Sequence, residues 1–170
     1  TVDHIFSLFS IVQRFLQKNT KLYVAFVDFK KAFDLVDRNT LWHVLRRAGI
    51  HGKLYFALRG IYDTVTACVR DKSKYSQYFP CPRGVKQGCL LSPLLFSFFV
   101  NELALEISQN GRHGIQLIPR AVEVFLLLFA DDVILMSNTI VGLQNQLNHL
   151  KIEADRLRLT VNLDKTNVMV

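Results

Sequence analysis

An α+β fold is what the chain predicts, and three observations predict it. Phe125-Leu126-Leu127-Leu128-Phe129-Ala130-Asp131-Asp132-Val133-Ile134-Leu135-Met136 sets short apolar runs on either side of adjacent carboxylates, the pattern of a buried hairpin with Asp131 and Asp132 at or beside its turn. Leu22-Tyr23-Val24-Ala25-Phe26-Val27 is a further near-continuous apolar run of strand length. Elsewhere apolar residues recur at helical spacing, most clearly at Leu143, Leu147, Leu150, Ala154 and Leu157. No internal repeat, low-complexity tract or linker divides the chain, so a single domain over residues 1–170 is expected.

The paired carboxylates carry the chemical interest. Two ionised carboxylates side by side repel one another and resist leaving water. On a dry hairpin they persist when protonated, when solvated or when neutralised by a cation, and a divalent metal is the strongest of these remedies. An ordinary solvent-facing turn, where Asp is common, accounts for the pair equally well unless a third carboxylate lies nearby.

Composition narrows the classes. Half of the 170 residues are hydrophobic and 21% are charged, enough for a real core and unlike a disordered chain. The formal net charge of +7 points towards nucleic acid or an anionic surface without distinguishing them. Cys68, Cys81 and Cys89 lack CxxC spacing, and the five histidines form no HxxxH or HExxH pair. Structural zinc and a disulfide framework are therefore not expected, and a reducing compartment is. No charged-then-apolar leader opens the chain, and Asp131 and Asp132 split its best candidate for a membrane span, so a soluble protein is expected. With Thr1 in first place and Val170 inside a strand-like run, the sequence reads as part of a longer polypeptide.

Taken in order, Ile5, Leu8, Val12, Phe15 and Leu16 predict an amphipathic helix ending near Lys18-Asn19, with Ser7, Ser10, Gln13, Arg14 and Gln17 on its polar side. The apolar run that follows ends on Asp28 and delivers that carboxylate to an edge of the sheet. Asp37 reads as the N-cap of a helix with Leu41, Val44, Leu45 and Ala48 on one face and Gly49 as its stop. Asp34 reads as a cap or as a partner for a lysine. A short helix from about Lys53 to Asp63 turns Leu54, Leu58 and Ile61 inward. Thr66-Ala67-Cys68-Val69-Arg70 and Tyr75-Ser76-Gln77-Tyr78-Phe79 form a hairpin around the solvated turn Asp71-Lys72-Ser73-Lys74. Pro80-Cys81-Pro82-Arg83-Gly84-Val85-Lys86-Gln87-Gly88-Cys89-Leu90-Leu91-Ser92-Pro93 then leads into an apolar helix from Leu94 towards Ser108, ended by Asn110-Gly111, with Leu94, Leu95, Phe98, Phe99, Leu103 and Leu105 in the core. Glycine-rich backbone before a helix N-terminus lets an anionic or planar ligand approach closely, although such a loop also serves merely to turn a corner. A connector through Gly111-Arg112-His113-Gly114 and Pro119-Arg120 reaches the hairpin, the last helix is entered near Thr139, and the chain returns in two short strands around an Asp164-Lys165 turn.

Four blocks, in order over nearly the whole chain, carry a resemblance. They are Phe26-Val27-Asp28-Phe29-Lys30-Lys31-Ala32-Phe33-Asp34, then Arg83-Gly84-Val85-Lys86-Gln87-Gly88-Cys89-Leu90-Leu91-Ser92-Pro93-Leu94-Leu95-Phe96, then Phe129-Ala130-Asp131-Asp132, and last Asn162-Leu163-Asp164-Lys165-Thr166. The set resembles the signature blocks of reverse transcriptases, in the wording of non-LTR (LINE-type) retrotransposons, with group II intron enzymes as close relatives. The resemblance implies a right-hand polymerase palm with part of the fingers, an antiparallel sheet bearing the carboxylates and helices beneath it. It also implies RNA-templated DNA synthesis in retrotransposition, by attack of a primer 3′-hydroxyl on the α-phosphate of a dNTP. Two Mg²⁺ ions, or Mn²⁺, would be bound by Asp28 and Asp131, with Asp132 completing the catalytic set. Such transfer uses two cations about 3.5–4 Å apart, and magnesium asks for few oxygen ligands because it keeps waters and substrate phosphates.

The remaining roles are implied in the same way. Phe33 would pack under the sugar of the incoming nucleotide and exclude a 2′-hydroxyl, where a plain core Phe is the alternative. Gln87 and Gly88 would line the nucleotide and template. Lys165 would act as general acid towards pyrophosphate, against the alternative of a solvated turn lysine. The implied partners are an RNA template, a DNA primer and dNTPs, with no membrane, and with further fingers and a thumb, with or without an endonuclease domain, as companions in the parent polyprotein. The finger residues that grip the triphosphate would precede Thr1 and the thumb would follow Val170, so this stretch alone is not expected to suffice for polymerisation. Two other readings stand beside this one: an RNA-dependent RNA polymerase, against which Phe33 and Phe129-Ala130 before the Asp pair argue, and a degenerate retroelement remnant that binds nucleic acid without catalysis. The family implies an intracellular site, in the nucleus or a cytoplasmic ribonucleoprotein, and no import signal is visible in the chain.

Overall fold

The computed structural model describes residues 2–111, 113–118 and 122–170. Its elements, in chain order, begin with helix α1 (Val2–Gln17), strand β1 (Tyr23–Val27) and helices α2 (Ala32–Leu35), α3 (Arg38–Arg47) and α4 (Gly52–Tyr62). Four strand pieces follow, β2 (Thr66–Ala67), β3 (Arg70–Asp71), β4 (Lys74–Tyr75) and β5 (Phe79–Pro80), then the long helix α5 (Ser92–Asn110). The remainder is β6 (Ile115–Ile118), β7 (Val122–Val124), β8 (Leu126–Phe129), β9 (Asp132–Ser137), α6 (Ile140–Arg156) and β10 (Asn167–Met169). Arg112, Pro119 and Arg120 of the expected connector lie outside the described residues. The chain divides into two compact units, residues 33–99 and the two flanking stretches together.

The unit made of the flanking stretches is built on a four-stranded antiparallel sheet in the order β10-β1-β9-β8. Val24 and Phe26 stand opposite Met136 and Ile134, so alternation puts all four on one face. There they cluster with Ile11, Leu22 and Ile115, while Leu8, Val12 and Phe15 of α1 pack around them. Ala25, Val27, Val133 and Leu135 belong to the opposite face and are at most 3% exposed. Helix α6 packs across β1 and β9, burying Leu143, Leu150 and Ala154, and Gln146 Nε2 donates to the Met136 carbonyl at 3.0 Å. Emptying one such buried leucine to alanine costs about 2–5 kcal/mol. The helix expected to be entered near Thr139 is α6, and Thr139 caps it, its Oγ1 accepting from Gly142 N at 3.0 Å. The buried carboxylates of Glu102 and Glu153 both meet Arg156, whose pKa is pushed up, chiefly by the hydrogen bond to Glu153.

Helix α1 is set differently from expectation. Ile11 is buried, but Ile5 and Leu16 are 66% and 67% exposed. At about 100° per residue, Leu8, Ile11, Val12 and Phe15 share one arc and Leu16 falls outside it. Among the described residues, no helix is long and apolar enough to cross a membrane.

In the unit of residues 33–99, Asp37 caps α3 through Oδ2, which accepts from Thr40 N at 3.0 Å. Trp42 meets the rings of Tyr55 and Tyr62 edge-on at 6.4 and 5.8 Å. That aromatic cluster corrects the reading of α4: Tyr55, Leu58 and Tyr62 turn inward, and Leu54 and Ile61 face outward. Rings bury more area than leucines, and Tyr62 also brings a hydroxyl that reaches Ser92 Oγ at 3.3 Å. The expected hairpin is present in two pieces, β3 with β4 at its tip and β2 with β5 at its base. Along α5, Leu95, Phe96, Phe99 and Leu103 are buried, whereas Leu94 and Leu105, expected inside, are exposed.

Candidate active site

The sheet register places the carboxylates. Val27 pairs with Val133, so Asp28 leaves β1 beside the start of β9 at Asp132. Phe129 pairs with Asp132, which closes the β8–β9 hairpin with a turn of two residues, Ala130 and Asp131. All three carboxylates thus stand at one end of the sheet. Asp28 continues the face of Phe26, and Asp132 that of Ile134. Both line one open cavity of about 480 Å³, with Phe26, Leu127, Phe129, Ile134 and Lys165 in its wall and His4, Ile5 and Leu8 of α1 completing it. Asp131, on the turn itself, is not part of that lining. Its neighbour Ala130 holds φ at +52°, a left-handed conformation that costs a non-glycine residue about 1–3 kcal/mol.

Asp28 is fixed by the returning chain. Its carbonyl accepts from Asn162 N at 2.8 Å, its N–H donates to Thr166 Oγ1 at 3.4 Å, and Asn162 Nδ2 donates to its Oδ2 at 2.8 Å. Asn162 and Thr166 are site residues that sequence reasoning missed. Both sit in the fourth block, but their purpose depends on the pairing of Phe29 with Val161, a contact no local pattern signals. Lys165 occupies the turn between them and is exposed.

Among the described residues, no three His, Cys, Asp or Glu side chains gather into a ready-made metal cage. The donor set still suits a hard cation. Asp28 and Asp132 line one cavity, and neither residue is ion-paired to a cationic side chain among the described residues. Magnesium is commonly held by one or two carboxylates, with waters and substrate phosphates filling its shell.

The unit of residues 33–99 carries the other predicted residues. Phe33 is half-buried and stacks on Phe96, centroids 4.3 Å apart. Gln87 Nε2 donates to Asp34 Oδ1 at 2.7 Å, so Asp34 pairs with an amide rather than a lysine. Gly88 holds φ at +77° with open space where a Cβ would stand, so the backbone conformation accounts for the glycine. The loop is held from outside. Arg38 donates from Nε to Gly84 O at 2.9 Å and from Nη2 to Arg83 O at 3.1 Å, and burial pulls its pKa down. Ser92 Oγ donates to Lys86 O at 2.5 Å. Cys89 has its thiol pKa lowered, first by the backbone of Leu91 and further by Ser92 and Lys86.

A mixed fold with an antiparallel sheet presenting three carboxylates at one end is that of a right-hand polymerase palm with part of its fingers, and solved structures share it. The apo telomerase of Candida tropicalis truncated from its C-terminal domain matches with a TM-score of 0.69 at 18% identity, over 99% of this chain and 35% of that one. The telomerase of Candida albicans in complex with a TWJ fragment of telomeric RNA gives 0.70 at 15% identity, over 100% of this chain and 31% of that one. The chain belongs to the reverse transcriptase (RNA-dependent DNA polymerase) family, whose model matches residues 2–170. Its relatives include retrotransposon proteins of the non-LTR type that the four blocks implied. The Pol polyprotein of the type-1 retrotransposable element R2 of Nasonia vitripennis is 28% identical over 85% of this chain and 14% of its own length. That of the type-2 element R2DM of Drosophila melanogaster is 30% identical over 84% of this chain and 13% of its own length. The chain spans about a seventh of these curated relatives.

Proposed function

We propose that the chain forms the catalytic palm of an RNA-directed DNA polymerase, one that extends a DNA primer on an RNA template by two-metal nucleotidyl transfer from dNTPs in retrotransposition. One observation carries the reading: in a chain of the reverse transcriptase family, Asp28 and Asp132 line one cavity at the sheet end where Asp131 turns the hairpin. Asp28, Asp131 and Asp132 would hold two magnesium ions, which when bound activate the primer 3′-hydroxyl and offset charge on the α-phosphate and the leaving oxygen. Phe26, Leu127 and Ile134 give the cavity an apolar wall beside Asp28 and Asp132, against which the carboxylates keep a fixed direction. As the 3′-hydroxyl loses its proton to solvent and its oxygen bonds to the α-phosphorus, the bond to the bridging oxygen breaks and Lys165 would give a proton to the departing pyrophosphate. Phe33, braced by Phe96, stands under the sugar and excludes a 2′-hydroxyl, while Gln87 and Gly88 line the nucleotide and template. We place this activity in the nucleus or a cytoplasmic ribonucleoprotein, on the habit of the family.

The test is primer extension on an RNA template with Mg²⁺, using a polypeptide that carries this chain with its flanking segments, beside its Asp131→Asn twin. Extension with dNTPs by the parent only is expected. Equal use of rNTPs would favour an RNA polymerase, and a folded parent that binds metal yet extends nothing would favour a non-catalytic nucleic-acid binder.

A further inference from the structure

Among the described residues, Asp28 is the one member of the acidic set whose carboxylate is gripped by another side chain. The grip is separate from the strand pairing around it. Lys30 N donates to Thr160 O at 2.8 Å, Phe29 pairs with Val161, and Asn162 N donates to Asp28 O at 2.8 Å, so backbone bonds alone bring residues 160–162 alongside the end of β1. The Asn162 side chain then adds the bond from Nδ2 to Asp28 Oδ2. A primary amide suits that place. It donates without carrying charge, so it orients the carboxylate and satisfies one oxygen without neutralising it, where a lysine would compete with a cation for the same charge. Asp28 Oδ1 keeps its lone pairs available. Asn162 also opens the turn that bears Lys165: its carbonyl accepts from Lys165 N at 3.2 Å and from Thr166 N at 2.9 Å. Thr166 Oγ1 closes the ring by accepting from Asp28 N.

We infer that Asn162 is a positioning residue for cation binding at Asp28, aiming the carboxylate through its side-chain amide while its backbone registers the Lys165 turn on the same aspartate. The inference rests on the proposed role of Asp28 as a cation ligand. Outer-shell hydrogen-bond partners of this kind are worth about tenfold or more in metal affinity.

The experiment is a Mn²⁺ titration of the 170-residue chain, read by the electron paramagnetic resonance signal of the free ion and run beside thermal unfolding, for the parent, Asn162→Ala and Asp28→Asn. Asn162→Ala is expected to weaken Mn²⁺ binding about tenfold, with Asp28→Asn weakening it at least as much and the folded state kept by the backbone bonds. Asn162→Ala at parental affinity, with Asp28→Asn weakened, would overturn the positioning role alone. Parental affinity in Asp28→Asn would overturn the ligand reading and the inference with it. Should Asn162→Ala unfold, Asn162→Ser retains a turn-compatible side chain too short to reach Oδ2. It is expected to show the same weakening, and parental affinity in it would likewise overturn the role.

Discussion

The end of the sheet and the loop of residues 83–92 both present candidate functional groups, and they are held by different balances of backbone and side-chain bonds. At the sheet end, backbone ladders set the places, Val27 on Val133 and Phe129 on Asp132 determining where Asp28, Asp131 and Asp132 stand, and one side chain, that of Asn162, adds a bond to Asp28. In the loop, side chains take a larger share, with Arg38 forked onto two carbonyls and Ser92 drawing in a third, beside backbone bonds from Gly84 and Val85 to Val36 and Phe33. The difference teaches where mutation separates chemistry from stability. Carboxylates placed by a ladder are expendable for folding, whereas the loop keeps its shape only while its props and its backbone torsions are intact.

The largest expected effect lies at the sheet end. Asp132→Asn keeps size and shape and removes one charge from the cavity shared with Asp28. Turnover in primer extension is expected to fall roughly a hundredfold to a thousandfold, the range for losing one preorganised group that stabilises charge in a transition state. Thermal unfolding of the same variant is expected to stay within about 0.5 kcal/mol of the parent, as for a solvent-facing change. A large stability loss would mean that the carboxylate props the hairpin after all, and the contrast with the loop would fail.

Gly84→Ala is the next largest and the converse. Gly84 holds φ at +81°, and an added Cβ would stand 2.6 Å from the Asp34 carbonyl oxygen. Backbone cannot yield as a side-chain tip can, so strain and clash together are expected to cost about 2–3 kcal/mol. Chemical denaturation reads that loss as a lower midpoint at unchanged slope. A midpoint equal to that of the parent would show the loop to be as loosely built as its surface position suggests.

What the sequence revealed and what it hid divide along the same line. Local periodicity and capping were enough for the hairpin around Asp131 and Asp132, for the N-cap Asp37, for the entry of α6 near Thr139, and for the strand that ends on Asp28. The rotational setting of helices was not legible. Tyr55 and Tyr62 displace Leu54 and Ile61 from the core because Trp42 lies opposite, and hydrophobicity alone ranks the leucine and isoleucine higher. Ile5 and Leu16 sit outside the arc of Leu8, Ile11, Val12 and Phe15 for a similar reason, since the shape of the sheet face selects which apolar residues it takes. Within the site, the acidic residues announced themselves by the cost of putting charge beside apolar strands. Asn162 and Thr166 did not, because a neutral polar residue near a turn costs nothing until a distant pairing brings Asp28 to it.

The smallest effect is expected at Ala130, and it sharpens the comparison most. Its φ of +52° is in the region where an alanine is strained and a glycine is not. Glycine would relieve roughly 1 kcal/mol of that strain, while the freer unfolded chain takes back about 0.4–1 kcal/mol. Ala130→Gly is therefore expected to unfold within about 0.5 kcal/mol of the parent by thermal melt. Turnover need not follow stability. The strained residue directly precedes Asp131, and a glycine widens the range of turn conformations from which that carboxylate must be aimed. A fewfold fall in primer extension at unchanged stability is expected, because misplacing a reacting group is costly even where the fold is indifferent. Equal turnover would mean that the ladder from Phe129 to Asp132 alone aims the turn. A clear gain in stability with turnover retained would mean that the strain at Ala130 serves nothing at this site.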